Sequence, residues 1–376
     1  MRPGVFQRGL RHLLAAVAVV AETAAGKVFS PVETVSSGGD GRVQAMSGER
    51  RRFAGRARVA PRRACGPVRC ARSPVVVLAV LVLLSGCSVR KLAVDKVADA
   101  LAAPGTVWKG DDDPQLVGEA LPFALKTQES LLAESPRHRP LLLATCSGFV
   151  SYAAGWIEPE AERLETTDFA GAQLARDRAL RLHLRGRGYC LRALDLVLPG
   201  AAARLAADPE TALEGVGRQE VELLYWTGAA WGSAISLGLD RPELVADLPA
   251  VRALFGRAIA LDPDYDRGAL HEAMISIESM SELLGGSPER ARTHFERAVE
   301  LSQGRRASPF VTWARGVPVA TQDRKEFRSA LERALAVDPD ASESDRLANR
   351  LAQERARRLL ARADELFYES EPDEKE

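Results

Sequence analysis

Histidine and cysteine are scarce in this chain, five of each in 376 residues. The histidines after the first, His138, His183, His271 and His294, have no cysteine or carboxylate partner at metal-ligand spacing. His271-Glu272 opens like a zinc-protease helix, but Ile275 stands where the second histidine belongs. There is no G-x-S-x-G, phosphate loop or dinucleotide fingerprint. No run alternates at period two between turn signals, so no sheet is expected. These absences lower the weight of an enzyme, and no cofactor is expected. An excess of positive charge is also missing. Residues 1–72 hold 14 Lys+Arg and 4 Asp+Glu, so 37 basic and 47 acidic residues of the 51 of each remain for the rest. That acidic remainder carries no footprint for nucleic acid.

One stretch stands out near the start. Val75 through Leu84 is an unbroken apolar run, preceded by Arg69 and Arg72 and followed by Ser85-Gly86-Cys87. A basic flank, a short apolar core and a small-residue exit form the layout of an export signal. Leu84-Ser85-Gly86-Cys87 resembles the lipobox of bacterial lipoproteins, in which the thiol takes a diacylglycerol and becomes the new N-terminus. The competing reading is a membrane anchor over 73–89, at the lower edge of a bilayer span. The expected organisation is a leader and signal peptide over 1–86, a helical-repeat domain over 87–368 and an acidic, disordered tail over 369–376. The leader is longer than export needs, and Met46 is a candidate for the true start. After Cys87 only Cys146 and Cys190 remain, in the helix-like runs LLLATCSGF and RGYCLRAL. Their setting points to two buried thiols rather than a disulfide.

Beyond Cys87 the periodicity is helical throughout. A short amphipathic segment covers 89–102. Asp113 caps a helix opening at Pro114, with Pro122 expected to kink it. Leu141 to Trp156 is a second apolar helix. Asp168 caps a third stretch to Leu198, where Gly186 and Gly188 are candidate breaks. Asp208-Pro209 reads as a helix start. Glu220 to Leu237 holds Tyr225, Trp226 and Trp231, and its Gly228 and Gly232 form a thin face for a neighbouring helix. Ser287, Ser308 and Asp323 are candidate caps, and a last helix runs from Ser344 to Phe367.

Three segments are alike. They are Leu254–Asp264, His294–Leu301 and Ala330–Asp340, with Arg-Ala pairs at 257, 297 and 333. They resemble the second helix of a tetratricopeptide repeat and its closing turn, although the spacings exceed the usual period. The fold class expected is all-α, an α-solenoid of degenerate tetratricopeptide-like helix pairs.

The candidate site residues are few. The triple acid Asp111–Asp113 reads as a cation site or, with more weight, as a solvated loop with one helix cap. Tyr225, Trp226 and Trp231 read either as core or as the wall of an apolar groove. Lys126, inside an apolar helix, reads as a ligand counter-ion or as a lysine reaching to the surface. His271 and Asn349 complete the groove set, and no metal ligands are assigned.

The block Asp111-Asp-Asp-Pro-Gln-Leu-Val with Ala120-Leu-Pro-Phe-Ala-Leu-Lys126 resembles the opening of the TatT proteins, the T components of tetratricopeptide-associated TRAP transporters. The likeness continues through Cys146-Ser-Gly-Phe149, Tyr225-Trp226, Ala269-Leu-His-Glu272, His294-Phe-Glu-Arg-Ala-Val299, Ser308-Pro-Phe-Val311 and Arg346-Leu-Ala-Asn349. Arg358 departs from it, standing where an aromatic is expected. The resemblance implies a periplasmic lipoprotein of helical repeats, anchored by acyl chains on Cys87, with the outer membrane favoured. It implies a homotrimer, a periplasmic substrate-binding protein as partner and an apolar ligand. The alternative is a repeat scaffold for an envelope complex with no small ligand, and a hydrolase of envelope material carries the least weight.

Overall fold

In the computed structural model, residues 91–103 and 106–368 are described, and they contain helices and turns and no strand. Cys87, the leader over 1–86 and the tail over 369–376 lie outside the described residues. A helix over 91–102 (α1) comes first. Next is α2, Pro114–Glu134. Asp113 accepts from the backbone N–H groups of Gln115 and Leu116, each at 3.0 Å, which satisfies donors that a bare helix start leaves open. The helix runs unbroken through Pro122.

Arg139–Tyr152 (α3) passes through a π turn, Ala153–Ile157, into Glu158–Leu164 (α4). The run Arg139–Leu164 is long and apolar enough to cross a membrane. Here its Leu141, Leu142, Cys146 and Val150 are core residues. Asp168 caps Phe169–Asp195 (α5), accepting from Gly171 N–H at 2.9 Å.

The glycines do not break α5. A Cβ on Gly186 would lie 3.2 Å from the Cys146 carbonyl oxygen and from Val150 Cγ2, so that glycine lets α3 press against α5. Gly188 faces open space. The close approach also corrects the expectation of free thiols. Cys146 and Cys190 form a disulfide with Cα atoms 5.4 Å apart. Apolar surroundings favour a buried thiol, but they equally suit a disulfide once two helices hold the residues face to face.

Beyond Gly200, in the left-handed region, lies Ala201–Ala207 (α6). Asp208-Pro209 opens only a series of turns over 209–215, and the expected helix is absent there. The aromatic helix is Val221–Leu237 (α7). Its glycines seat the next long helix, Leu248–Leu261 (α8): a Cβ on Gly228 would meet the Phe255 ring at 2.9 Å, and one on Gly232 would meet Val251 at 3.3 Å.

Ala269–Glu278 (α9) and Pro288–Leu301 (α10) pack together. Ser308–Arg315 (α11) packs on Arg324–Ala336 (α12). Ser287 and Asp323 cap α10 and α12, accepting at 3.3 and 2.9 Å. Ser308 does not cap α11, because Ala307 takes that position and the Ser308 hydroxyl bonds Glu272 instead. The last long helix is Arg346–Ala361 (α13), shorter than expected, followed by a turn of helix at Ala363–Leu366.

The three similar segments fall at matching places on α8, α10 and α12. Their alanines Ala258, Ala298 and Ala334 are all buried, the close-packing role that small residues at this position serve. Three cores result among the described residues. A small one gathers Leu125, Phe149, Tyr152, Ile157 and Ala179. Of the two larger, the first joins α1 to α9, and the second starts at Ile275 on α9 and continues to Phe367. Since Leu270 and Ile277 face the first and Ile275 the second, α9 is the hinge between them in the packing sense.

α13 returns to the front of the domain. Arg346 donates to the Gly110 carbonyl at 2.7 Å, and Arg362 donates to the Glu162 carbonyl at 3.0 Å. Leu351 lies against Gly155. A turn and helix more than 190 residues away are thus tied to the final helix through arginines.

Candidate functional site

α7 gives its glycine face to α8, and Tyr225 lies beside that face, its ring 6.4 Å from that of Phe255. Tyr225 and Trp226 are half-buried, with ring centroids 5.0 Å apart and edge to face. The Tyr265 ring stands 5.5 Å from Tyr225. Together they form an aromatic wall beside the start of α9. Burial, followed by the nearby Glu272 and Asp266 carboxylates, raises the Tyr225 phenol far above its ordinary range.

Glu272 faces this wall. Its carboxylate accepts from Ser308 Oγ at 2.9 Å, and burial pushes its pKa up. Arg306 stands by, donating to Asp266 at 2.6 Å and to Asp345 at 3.2 Å, and Arg267 grips Asp345 through two bonds of 2.7 Å. These ion pairs hold an unusual backbone. Asp266 and Arg267 have φ of 41° and 53°, in the left-handed region that disfavours side-chain-bearing residues by about 1–3 kcal/mol each.

The residues expected from sequence are distributed unevenly around this wall. Trp231 is 4% exposed, and its Nε1 donates to Asp247 at 3.0 Å under the Arg187 guanidinium. Asn349 is 1% exposed, accepting from Ala307 N–H at 2.9 Å and donating to the Arg305 carbonyl at 3.0 Å, so it fixes the 305–307 turn to α13. The Lys126 side chain is 68% exposed and pairs with Glu129 at 2.7 Å. His271 turns from Glu272 toward α10, its Nδ1 2.9 Å from that of His294. Asp113 of the triple acid is the α2 cap, and among the described residues no group of three His, Cys, Asp or Glu is arranged to hold a metal.

Two groups of residues went unmarked in the sequence. Glu272 stood out in a failed zinc motif and Ser308 as a cap, and both lie in the blocks that carry the family resemblance, but neither was marked as a site residue. The other group joins α4, α11 and α13. Glu162 accepts from Arg355 Nε at 3.1 Å and pairs with Arg315 at 3.1 Å. Glu158 accepts from His183 Nε2 at 2.8 Å, if that nitrogen carries the proton, and lies 3.8 Å from Arg355. No spacing rule links residues so far apart.

A cleft of about 710 Å³ opens between the turns after α6 and α8, lined by Asp208, Pro209, Leu213, Pro249, Arg252 and Arg257 among others. None of the expected groove residues lines it. Chemically, the Tyr225 wall offers aromatic faces and a few hydrogen-bonding groups, a combination suited to holding a partly apolar molecule.

A protein of Treponema pallidum (strain Nichols), described as uncharacterized, is 30% identical over 306 residues, covering 76% of this chain and 95% of that protein. The family model described as the TRAP transporter T-component, TAtT, matches residues 110–367, which include every helix from α2 to α13. The chain belongs to the TRAP transporter T-component family.

Proposed function

We propose that this chain is a lipid-anchored, extracytoplasmic accessory protein of a TRAP-type solute transporter, working by binding and without turnover. The observation that carries this reading is the family match over residues 110–367. Its partner is a periplasmic substrate-binding protein. The helix pairs α7–α8, α9–α10 and α11–α12, with their matching buried alanines, are read as degenerate tetratricopeptide-like repeats stacked as an α-solenoid. A homotrimer is part of the same proposal.

The placement outside the cytoplasm rests on two features of the sequence and one of the fold. Residues 1–86 are a leader ending in Leu84-Ser85-Gly86, and Cys87 is the acylated first residue of the mature chain. The Cys146–Cys190 disulfide supports that placement, because such bonds persist in oxidising compartments. The outer membrane is the favoured site. The Tyr225–Trp226 wall is the proposed apolar contact for a hydrophobic or amphipathic solute, with Glu272 as a hydrogen-bonding group.

The test is affinity purification of the chain from cross-linked cells of its own species. Recovery of a TRAP substrate-binding protein supports the reading. Recovery of a stable envelope complex without one, and of no extractable ligand, supports the scaffold in its place. The deep burial of Trp231 and Asn349 is the observation on the scaffold's side.

A further inference from the structure

Exposed apolar surface gathers at the front of the domain. Among the described residues twelve large apolar side chains are exposed, and five of them, Leu92, Val97, Leu101, Val107 and Trp108, fall between 92 and 108. Val97 and Leu101 stand four apart on α1, and the exposed Ala93 precedes them on the same stripe. The other side of α1 belongs to the body. Ala98 is fully buried in the first core, and Ala102 packs against it.

The charges of α1 are sorted in the same way. Both acids turn toward the body: Asp95 accepts from Ser135 Oγ at 2.7 Å, and Asp99 lies 3.1 Å from His138 Nε2. Lys91 is exposed, and Lys96 keeps 72% of its side chain accessible while reaching Asp99 at 3.2 Å. Lys109, beside Trp108, is exposed as well. A helix with an outward apolar stripe and flanking lysines suits an interface with anionic lipid. Tryptophan is favoured at the same level, where an apolar ring and a polar N–H are both satisfied.

The length of chain before α1 points to what covers this face. Lys91, the first residue of α1, follows Cys87 by four residues, which reach at most about 14 Å. The head-group layer on each side of a bilayer is itself about 5–8 Å deep. An acyl-bearing Cys87 therefore keeps the start of α1 at the membrane surface, whereas nothing of the kind brings another protein to it.

We propose that the outward face of α1, with Val107 and Trp108, rests on the anionic head-group surface of the membrane that holds Cys87. The inference rests on the acylation of Cys87 proposed above. The acyl chains tether the domain, and α1, fixed to the first core, orients it.

The experiment uses the chain purified from its own membranes and reconstituted in vesicles of phosphatidylcholine and phosphatidylglycerol. The vesicles contain a phospholipid with a photoreactive diazirine near its head group. Mass spectrometry reads the acyl groups on Cys87 and the lipid-labelled peptides in one sample. Label is expected over 91–109 above any later stretch of the chain. Val97→Glu combined with Leu101→Glu is expected to lower that label at least fivefold, with acylation and helix content unchanged, since both side chains are exposed. An acylated wild-type chain unlabelled in α1 overturns the proposal and leaves the anchor standing. Label unchanged in the double variant also overturns it, because nearness to the anchor then suffices. An α1 that lipid does not label, yet that is protected from hydrogen exchange, is covered by protein, and that too overturns it. Label in α1 of a chain without acyl groups supports the membrane face and removes the anchor.

Discussion

Cys146 on α3 and Cys190 on α5 are joined across 44 residues of chain, next to the point where Gly186 lets the two helices touch. The bond therefore locks the packing that buries the centre of the first core. Closing a loop of that length removes conformational freedom from the unfolded chain, by about 4 kcal/mol in the chain-entropy account. Reduction, or Cys190→Ala, is expected to lower unfolding free energy by about 2–4 kcal/mol. Urea unfolding with and without reductant measures it. Identical midpoints would show that the bond is not formed in the native protein.

The two α5 glycines separate close packing from helix propensity. Gly186→Ala places a Cβ against the Cys146 carbonyl and Val150, and is expected to cost about 1–3 kcal/mol. Gly188→Ala meets nothing within 4 Å and replaces the weaker helix former, for an expected gain of about 0.5–1 kcal/mol. Thermal melting of the two variants side by side distinguishes these effects. Equal shifts would refute the packing.

The helices were legible in the sequence, and their mutual placement was not. Asp113-Pro114, Asp168, Ser287 and Asp323 announce their helix starts because an N-cap is a local device. The matching Arg-Ala segments announced α8, α10 and α12 for a similar reason, since a repeat is visible within one chain. Gly186 and Gly188 look identical to any local rule, yet only one is needed for packing. The disulfide, the turn of His271 toward His294 and the meeting of Glu162 with Arg315 and Arg355 all arise from helices brought together by the fold. Asn349 carried a polar group in a promising place, and both ends of its amide serve the backbone at 305–307.

The histidine pair predicts a pH response. Burial is the largest cause that lowers both His271 and His294 below the ordinary histidine value of 6.5, with His294 adding to the shift of His271. The unfolded chain then binds more protons than the native one just below that pH. Stability from this pair is present above the unfolded pKa and is lost as pH falls through 6.5 toward the lowered native values. Chemical unfolding of wild type and His294→Gln between pH 5 and 8 tests it. The wild-type chain is expected to lose more stability on acidification than the variant, and parallel profiles would refute the coupling.

The aromatic wall makes opposite predictions for two tryptophans on one helix. Trp231→Ala removes a buried ring, its hydrogen bond to Asp247 and the ring face under Arg187, so a loss of about 3–5 kcal/mol is expected. Trp226 is half-buried, and Trp226→Ala is expected to cost less stability than that while reducing any co-purifying apolar ligand. Unfolding curves and mass spectrometry of organic extracts report on both. A Trp226→Ala chain that retains the full wild-type ligand would remove the wall from the binding reading.

The central claim is that this chain acts outside the cytoplasm as the lipid-anchored partner of a TRAP substrate-binding protein. The most direct measurement is mass spectrometry of the chain isolated from cross-linked envelopes, reading its N-terminus and its cross-linked peptides together. The account predicts a mature chain beginning at Cys87 with two or three acyl chains, since one anchors only marginally, and cross-links to a TRAP substrate-binding protein. An intact N-terminus upstream of Cys87, with no such protein among the cross-linked peptides, would contradict it.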